Sequence, residues 1–174
     1  EVAEKVQVAI MTCKARVRQG LAAPTTLCDA SMLLSEMRLF KDAYEIACMR
    51  EAARISVDAH LAAMRACCNL QWEYELEAEL VYHMTRGKSR APAYDMIVGS
   101  GENTCILHYT ENNARLREGD LVLIDAGAEF DNYAADITRS FPVNGRFSKE
   151  QRAIYELVLD AQLAGIACIK PGVR

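Results

Sequence analysis

Glycine and proline are scarce, at 9 and 4 of 174 residues, and there is a single tryptophan. The chain accordingly shows no low-complexity segment and no internal repeat. No apolar run approaches the roughly 18 residues of a membrane-spanning helix. Positive charge is not in excess. The net charge of −4 and a pI near 5.5 argue against nucleic acid or an anionic membrane as a partner. A secretory leader pattern is missing, and the chain does not open on Met. It opens inside a helical pattern, so Glu1 is not expected to be a natural start. The seven cysteines are odd in number and include no C-x-x-C pair, so neither a disulfide framework nor a zinc ribbon is indicated. A reducing cytoplasm fits that usage, with most of the thiols expected in the core.

What is present is globular: half of the residues are hydrophobic and a quarter charged, in 19.3 kDa. Residues 1–19 predict a helix stopped by Gly20. Residues 21–40 predict a connector with one short strand or helical turn. Asp42, with Glu45 three residues on, predicts the capped start of a long helix. Its buried stripe is expected at Ile46, Met49, Ala53, Val57, Leu61 and Met64, with His60 structural. Trp72 to Arg86 predicts another helix, ended by Gly87. Trp72, Leu76, Leu80, Val81 and Met84 should form its inner side, with Glu73, Glu75, Glu77 and Glu79 solvated. Strands are expected over 94–98 and 104–109, on either side of a glycine-rich turn at 99–103. That turn lacks both the G-x-G-x-x-G spacing and a Lys-Ser/Thr ending, so nucleotide binding is rejected. Ser148 with Gln151 predicts a final capped helix with Ile154, Leu157, Val158, Ala161, Leu163 and Ile166 on its apolar side.

The chemistry centres on LVLIDAGAEFDNYAADITRSFPV, residues 121–143. Two strands are expected there, joined by a turn in Glu129-Phe130-Asp131-Asn132, because Asp and Asn tolerate positive φ. A turn closing on Phe130-Asp131 would set Asp125 directly opposite Asp136. Like charges so placed repel, and a divalent cation, or a pair of them, is the simplest compensation. The alternative has one Asp capping a turn and the other solvated on an edge. The resulting order, helices followed by a hairpin-rich sheet and a last helix, is α+β, with helices backing one face of a mainly antiparallel sheet.

The runs VGSGENTCILHYTEN (98–112) and GDLVLIDAGAEFDNYAADITRSFPVNGRFS (119–148) resemble the first half of the catalytic domain of the Xaa-Pro aminopeptidases, or aminopeptidases P. EMRLFK (36–41) is similar to the junction that precedes that domain. The DAG…DITR pattern is shared with prolidase; HYTEN at 108–112 looks more like the aminopeptidase. Methionine aminopeptidases and creatinases are more distant. The resemblance implies the first half of a pita-bread (creatinase/aminopeptidase-like) fold. Residues 1–40 would be the end of an N-terminal domain with its connector, and residues 41–174 a truncated catalytic domain.

It also implies a site with two Mn²⁺ ions that removes the first residue from peptides with proline second, in a homo-oligomeric parent protein. Asp125 and Asp136 would be metal ligands, with Asp136 bridging, and His108 would bind substrate or shuttle protons. Thr138 either hydrogen-bonds a ligand carboxylate or is an ordinary strand residue. The family draws a His and two Glu ligands from its second half, and the chain ends at Arg174 before any of them. The expectation is therefore a fragment, inactive alone and weak in Mn²⁺ binding. Prolidase and a catalytically dead, protein-binding pita-bread domain are the competing readings.

Overall fold

The structure, a computed structural model, describes residues 2–173. Two compact units meet in sequence between Lys41 and Asp42. The first holds α1 (Val2–Ala15) and α2 (Ser31–Leu39), separated by a single 3₁₀ turn, Val17–Gln19, and by Gly20 at φ +84°. The first helix ends at Ala15, four residues short of the expected span, and Gly20 caps the 3₁₀ turn instead; Glu1, where that helix was expected to open, lies outside the described residues. The connector region carries a nine-residue helix rather than one short turn or strand. Neither α1 nor α2 buries a residue.

The second unit begins with α3 (Ala43–Ala66), which starts where its cap requires. The Asp42 carboxylate accepts from the Glu45 amide at 2.8 Å, and Glu45 accepts in return from the Asp42 amide at 2.7 Å. The buried face of α3 is not the expected one. Ile46, Met49, Val57 and Leu61 are exposed, and Cys48, Ala52, Ile55, Ser56, Ala59, His60 and Ala63 face inward. Small side chains let α3 approach its neighbours closely, which the bulkier stripe would prevent.

The next helix, α4 (Glu73–Arg86), ends at Gly87. Glu75 reaches back to the amides of Gln71 and Trp72 at 2.6 and 3.1 Å and closes its N-terminus. Leu76, Leu80 and Met84 are buried as expected; Val81 is exposed, Trp72 half-buried, and Glu73 fully buried rather than solvated.

A three-stranded antiparallel sheet in the order β1 (Ile97–Ser100), β2 (Leu121–Ala126), β5 (Ile137–Pro142) lies against these helices. A short ribbon of β3 (Glu129–Phe130) and β4 (Tyr133–Ala134) extends the β2–β5 hairpin. Alternate residues Val122, Ile124 and Ala126 are fully buried against Ile55, Leu76, Leu80 and Val98. Each such large aliphatic side chain contributes about 1.5–3 kcal/mol on burial. Tyr44 and Glu45, at the start of α3, hydrogen-bond Asp131 and Tyr133 and hold the tip of the ribbon.

The strand expected over 104–109 is absent among the described residues. A 3₁₀ turn, Gly101–Cys105, is followed by irregular chain to Gly119. Gly101, His108 and Asn112 all have positive φ, which no extended strand accommodates. The last helix, α5 (Lys149–Cys168), has the expected cap, with Ser148 Oγ accepting from the Gln151 amide at 3.1 Å. Its apolar residues are exposed. Of the cysteines only Cys48 and Cys67 are buried, so most of the thiols are not core residues. Among the described residues no helix is long and apolar enough to cross a membrane.

Candidate functional site

The register of the hairpin corrects the sequence reading. Asp131 and Asn132 both have left-handed φ, +49° and +67°, and form the two-residue turn themselves. Such a turn needs positive φ at both central residues, which Asp131 and Asn132 tolerate and a bulky Phe130 does not. Phe130 pairs with Tyr133, Glu129 with Ala134, and Asp125 with Thr138. Asp136 is therefore two residues along the strand from Asp125's partner. Because side chains alternate with a period of two, the slip of two residues keeps both aspartates on one face.

Several contacts fix the backbone beneath them. His60 Nε2 donates to the Ala126 carbonyl at 3.0 Å, and the Ser56 hydroxyl accepts from the Ala128 amide at 2.8 Å. A carbonyl only accepts, so the His60 proton sits on Nε2. Its Nδ1 is buried with no hydrogen-bond partner among the described residues. Burial pushes the His60 imidazole below its ordinary pKa and outweighs the pull of the Ala126 carbonyl. Gly127 touches the opposite strand so closely that a Cβ there would lie 1.7 Å from the Ala135 carbonyl oxygen. The Ala93 amide donates to the Gly127 carbonyl at 2.8 Å and draws residues 91–94 alongside.

That last contact delivers Tyr94, which sequence reasoning left as an ordinary strand residue. Its hydroxyl lies 2.6 Å from Asp125 Oδ1 and 3.0 Å from Asp136 Oδ1. Burial, then the hydrogen bond and charge of Asp125, then those of Asp136, hold the Tyr94 phenol well above its usual pKa. A phenol has one proton, so it serves one of the two carboxylates at a time. No motif spacing marks Tyr94; only the fold brings it there.

Both aspartates line a cavity of about 430 Å³ with Tyr94, Asp95, Ile97, His108 and Thr110. His108 reaches it from an irregular loop rather than from a strand, with a left-handed φ of +56° and an exposed side chain. Thr138 faces Asp125 across the ladder, but its hydroxyl makes no hydrogen bond to either carboxylate among the described residues. A larger cavity of about 670 Å³, between β5 and α5, contains neither aspartate and not His108. The smaller cavity is the one that gathers the acidic pair and His108.

Two convergent carboxylates with one shared proton suit a hard cation bound through oxygen. Among the described residues, no group of three or more His, Cys, Asp or Glu is arranged to hold a metal ion. The donor set fits in kind and is short in number.

The sequence profile of metallopeptidase family M24 matches residues 47–174. The chain belongs to metallopeptidase family M24. The Xaa-Pro aminopeptidase of Escherichia coli (strain K12) is 51% identical over 155 residues, which are 89% of this chain and 35% of that protein. The Haemophilus influenzae Xaa-Pro aminopeptidase is 51% identical over 144 residues, 83% of this chain and 34% of its own length. The M24 chain thus spans about a third of the curated relatives it matches. Aminopeptidase PepP of Pseudomonas aeruginosa superposes with a TM-score of 0.91 at 48% identity, over 98% of this chain and 39% of that one. Zn-substituted aminopeptidase P of E. coli superposes with a TM-score of 0.89 at 48% identity, over 96% of this chain and 38% of that one. The fold is α+β and matches the first half of the pita-bread architecture of those aminopeptidases P.

Proposed function

We propose that this M24 chain supplies part of a dinuclear Xaa-Pro aminopeptidase site. Residues 1–40 would lead into the catalytic domain, and residues 41–174 would form its N-terminal half. The observation that carries the reading is the convergence of Asp125 and Asp136 on one hydroxyl beside His108. Asp125 and Asp136 would hold the metals. Two divalent cations, Mn²⁺ on this reading, would supply an activated water and polarise the scissile carbonyl. Tyr94 orients the two carboxylates and keeps them together. His108, exposed and lining the same cavity, would bind the peptide or pass a proton, because an imidazole both accepts and donates one. A peptide with proline second is the proposed substrate, and a homo-oligomer in the cytoplasm the proposed setting.

Two carboxylates do not fill two coordination shells, so these 174 residues alone should bind Mn²⁺ weakly and lack peptidase activity. A chimera tests the reading: this chain replaces the matched segment of the E. coli Xaa-Pro aminopeptidase. The chimera should cleave Xaa-Pro peptides of three or more residues in preference to Xaa-Pro dipeptides, and lose activity on Asp125→Ala or Asp136→Ala. Prolidase would show the opposite substrate preference. A chimera that folds and binds manganese but cleaves neither would sink the proposal, as would strong peptidase activity from the 174-residue chain itself.

A further inference from the structure

Glu73 is fully buried, and no lysine or arginine hydrogen-bonds its carboxylate among the described residues. It accepts five hydrogen bonds instead. Oε1 accepts from the Ser100 amide and the Ser100 hydroxyl, both at 2.7 Å, and from Asn103 Nδ2 at 3.2 Å. Oε2 accepts from the Tyr109 hydroxyl and the Ala114 amide, both at 2.8 Å. Burial raises the carboxyl's pKa, but the Ala114, Ser100, Tyr109 and Asn103 donors outweigh it and hold the group ionised below the usual carboxylate range. The first turn of α4, where the helix dipole favours negative charge, adds to this.

These donors are the two ends and the middle of one loop, residues 100–114. In its middle the side chains alternate. His108 and Thr110 are exposed and line the cavity with Asp125 and Asp136, while Tyr109 between them is buried and points to Glu73. One helical turn along α4, Glu77 accepts from Asn112 Nδ2 at 2.9 Å; Asn112 in turn donates to the Met96 carbonyl and accepts from the Val98 amide, each at 2.9 Å. His108 has a left-handed backbone, and its side chain has no hydrogen-bond partner among the described residues. Its place is set by its neighbours.

We propose that Glu73 is the positioning residue for His108: through the Tyr109 hydroxyl, the Ala114 amide and Ser100 it locks the loop that presents His108 and Thr110 to the two aspartates. The catalytic consequence rests on the aminopeptidase reading; the clamp itself does not. Glu73→Gln keeps the shape but sets an NH₂ against donors it cannot accept from. Tyr109→Phe keeps the ring and removes only the hydroxyl link.

The protein has three histidines, His60, His83 and His108, so its imidazole NMR spectrum carries two internal controls. In both variants the His108 signals should shift or broaden while those of His60 and His83 stay. Amide exchange over residues 100–114 should quicken at least tenfold, with residues 121–142 unchanged. In the chimera of the preceding section, kcat should fall about 10- to 100-fold, as a misplaced catalytic group would cause. KM and manganese content should change far less. The proposal is overturned if Tyr109→Phe leaves His108 and the loop unmoved. It is equally overturned if all three histidines and residues 121–142 respond together, or if the loop loosens and kcat holds. An unmutated chimera without activity would count against the aminopeptidase reading, while the imidazole and exchange data still judge the clamp.

Discussion

Asp125 lies opposite Thr138 in the β2–β5 ladder, which places Asp136 one diagonal step away rather than face to face. Directly opposed carboxylates would meet at a Cβ separation of about 4.5–5.5 Å, whereas a diagonal pair sits farther apart and admits a third group. The Tyr94 hydroxyl is that group. Tyr94→Phe removes the donor the two carboxylates share. A hydrogen bond to a charged acceptor contributes about 1.5–3 kcal/mol, and a loss near the lower end is expected in urea unfolding without added metal. Unchanged stability would mean that the hydroxyl does not hold the pair together.

Gly127 marks where the two arms of the hairpin touch. A methyl group there would sit 1.7 Å from the Ala135 carbonyl oxygen, so Gly127→Ala forces the strands apart. A destabilisation of about 3 kcal/mol is expected, at the upper end for overpacking. Gly165, inside α5, has open space around its Cβ position. Gly165→Ala should stabilise by up to about 1 kcal/mol through helix propensity. Denaturant midpoints of the two variants should move in opposite directions.

The core between α3, α4 and the sheet should be intolerant of truncation. Leu76 and Leu80 are wholly buried among Ile55, Val98 and Ile124. Leu80→Ala should cost about 2–5 kcal/mol, the transfer loss plus the cavity left behind. Truncating the exposed Val81 beside it should cost far less, and equal losses would contradict the packing described.

Stability should fall in two separate pH windows. Burial depresses the His60 pKa in the folded state, so the unfolded chain binds the proton more readily. The stabilisation is complete above the unfolded value of about 6.5 and is lost as pH falls below it. Glu73 is also depressed when folded, by its donors, so its contribution is complete above about 4.3 and is lost as pH falls further. His60→Gln should flatten the decline between pH 7.5 and 5.5 and leave the acid limb. Glu73→Gln should do the reverse. Unfolding curves across pH 3–8 check both signs.

The sequence carried the helix starts well, because Asp42–Glu45 and Ser148–Gln151 are local hydrogen-bond pairs set by spacing alone. It also placed the acidic pair on one face, because a register slip of two residues preserves strand parity. The slip itself had a local signal. Its signal was the pair Asp131-Asn132, the only two neighbours in that turn that both accept left-handed φ, and a turn centred on Phe130 overlooks it. The buried side of α3 was misread because hydrophobicity favours large side chains, whereas close packing selected Ala52, Ala59 and Ala63. Glu73 looked like one more acid on a solvated helix. Its five donors come from residues 27 to 41 positions away, which no local pattern reveals. Tyr94 was missed for the same reason: what distinguishes it is a bond across 31 residues to Asp125.

Metal content is the most direct check on the site. The chimera, saturated with manganese and desalted, should retain about two ions per chain, the number a dinuclear hydrolytic site holds. Asp136→Ala should lower that stoichiometry and abolish cleavage of Xaa-Pro peptides together. Full metal retention and undiminished cleavage in Asp136→Ala would contradict the assignment of this acidic pair.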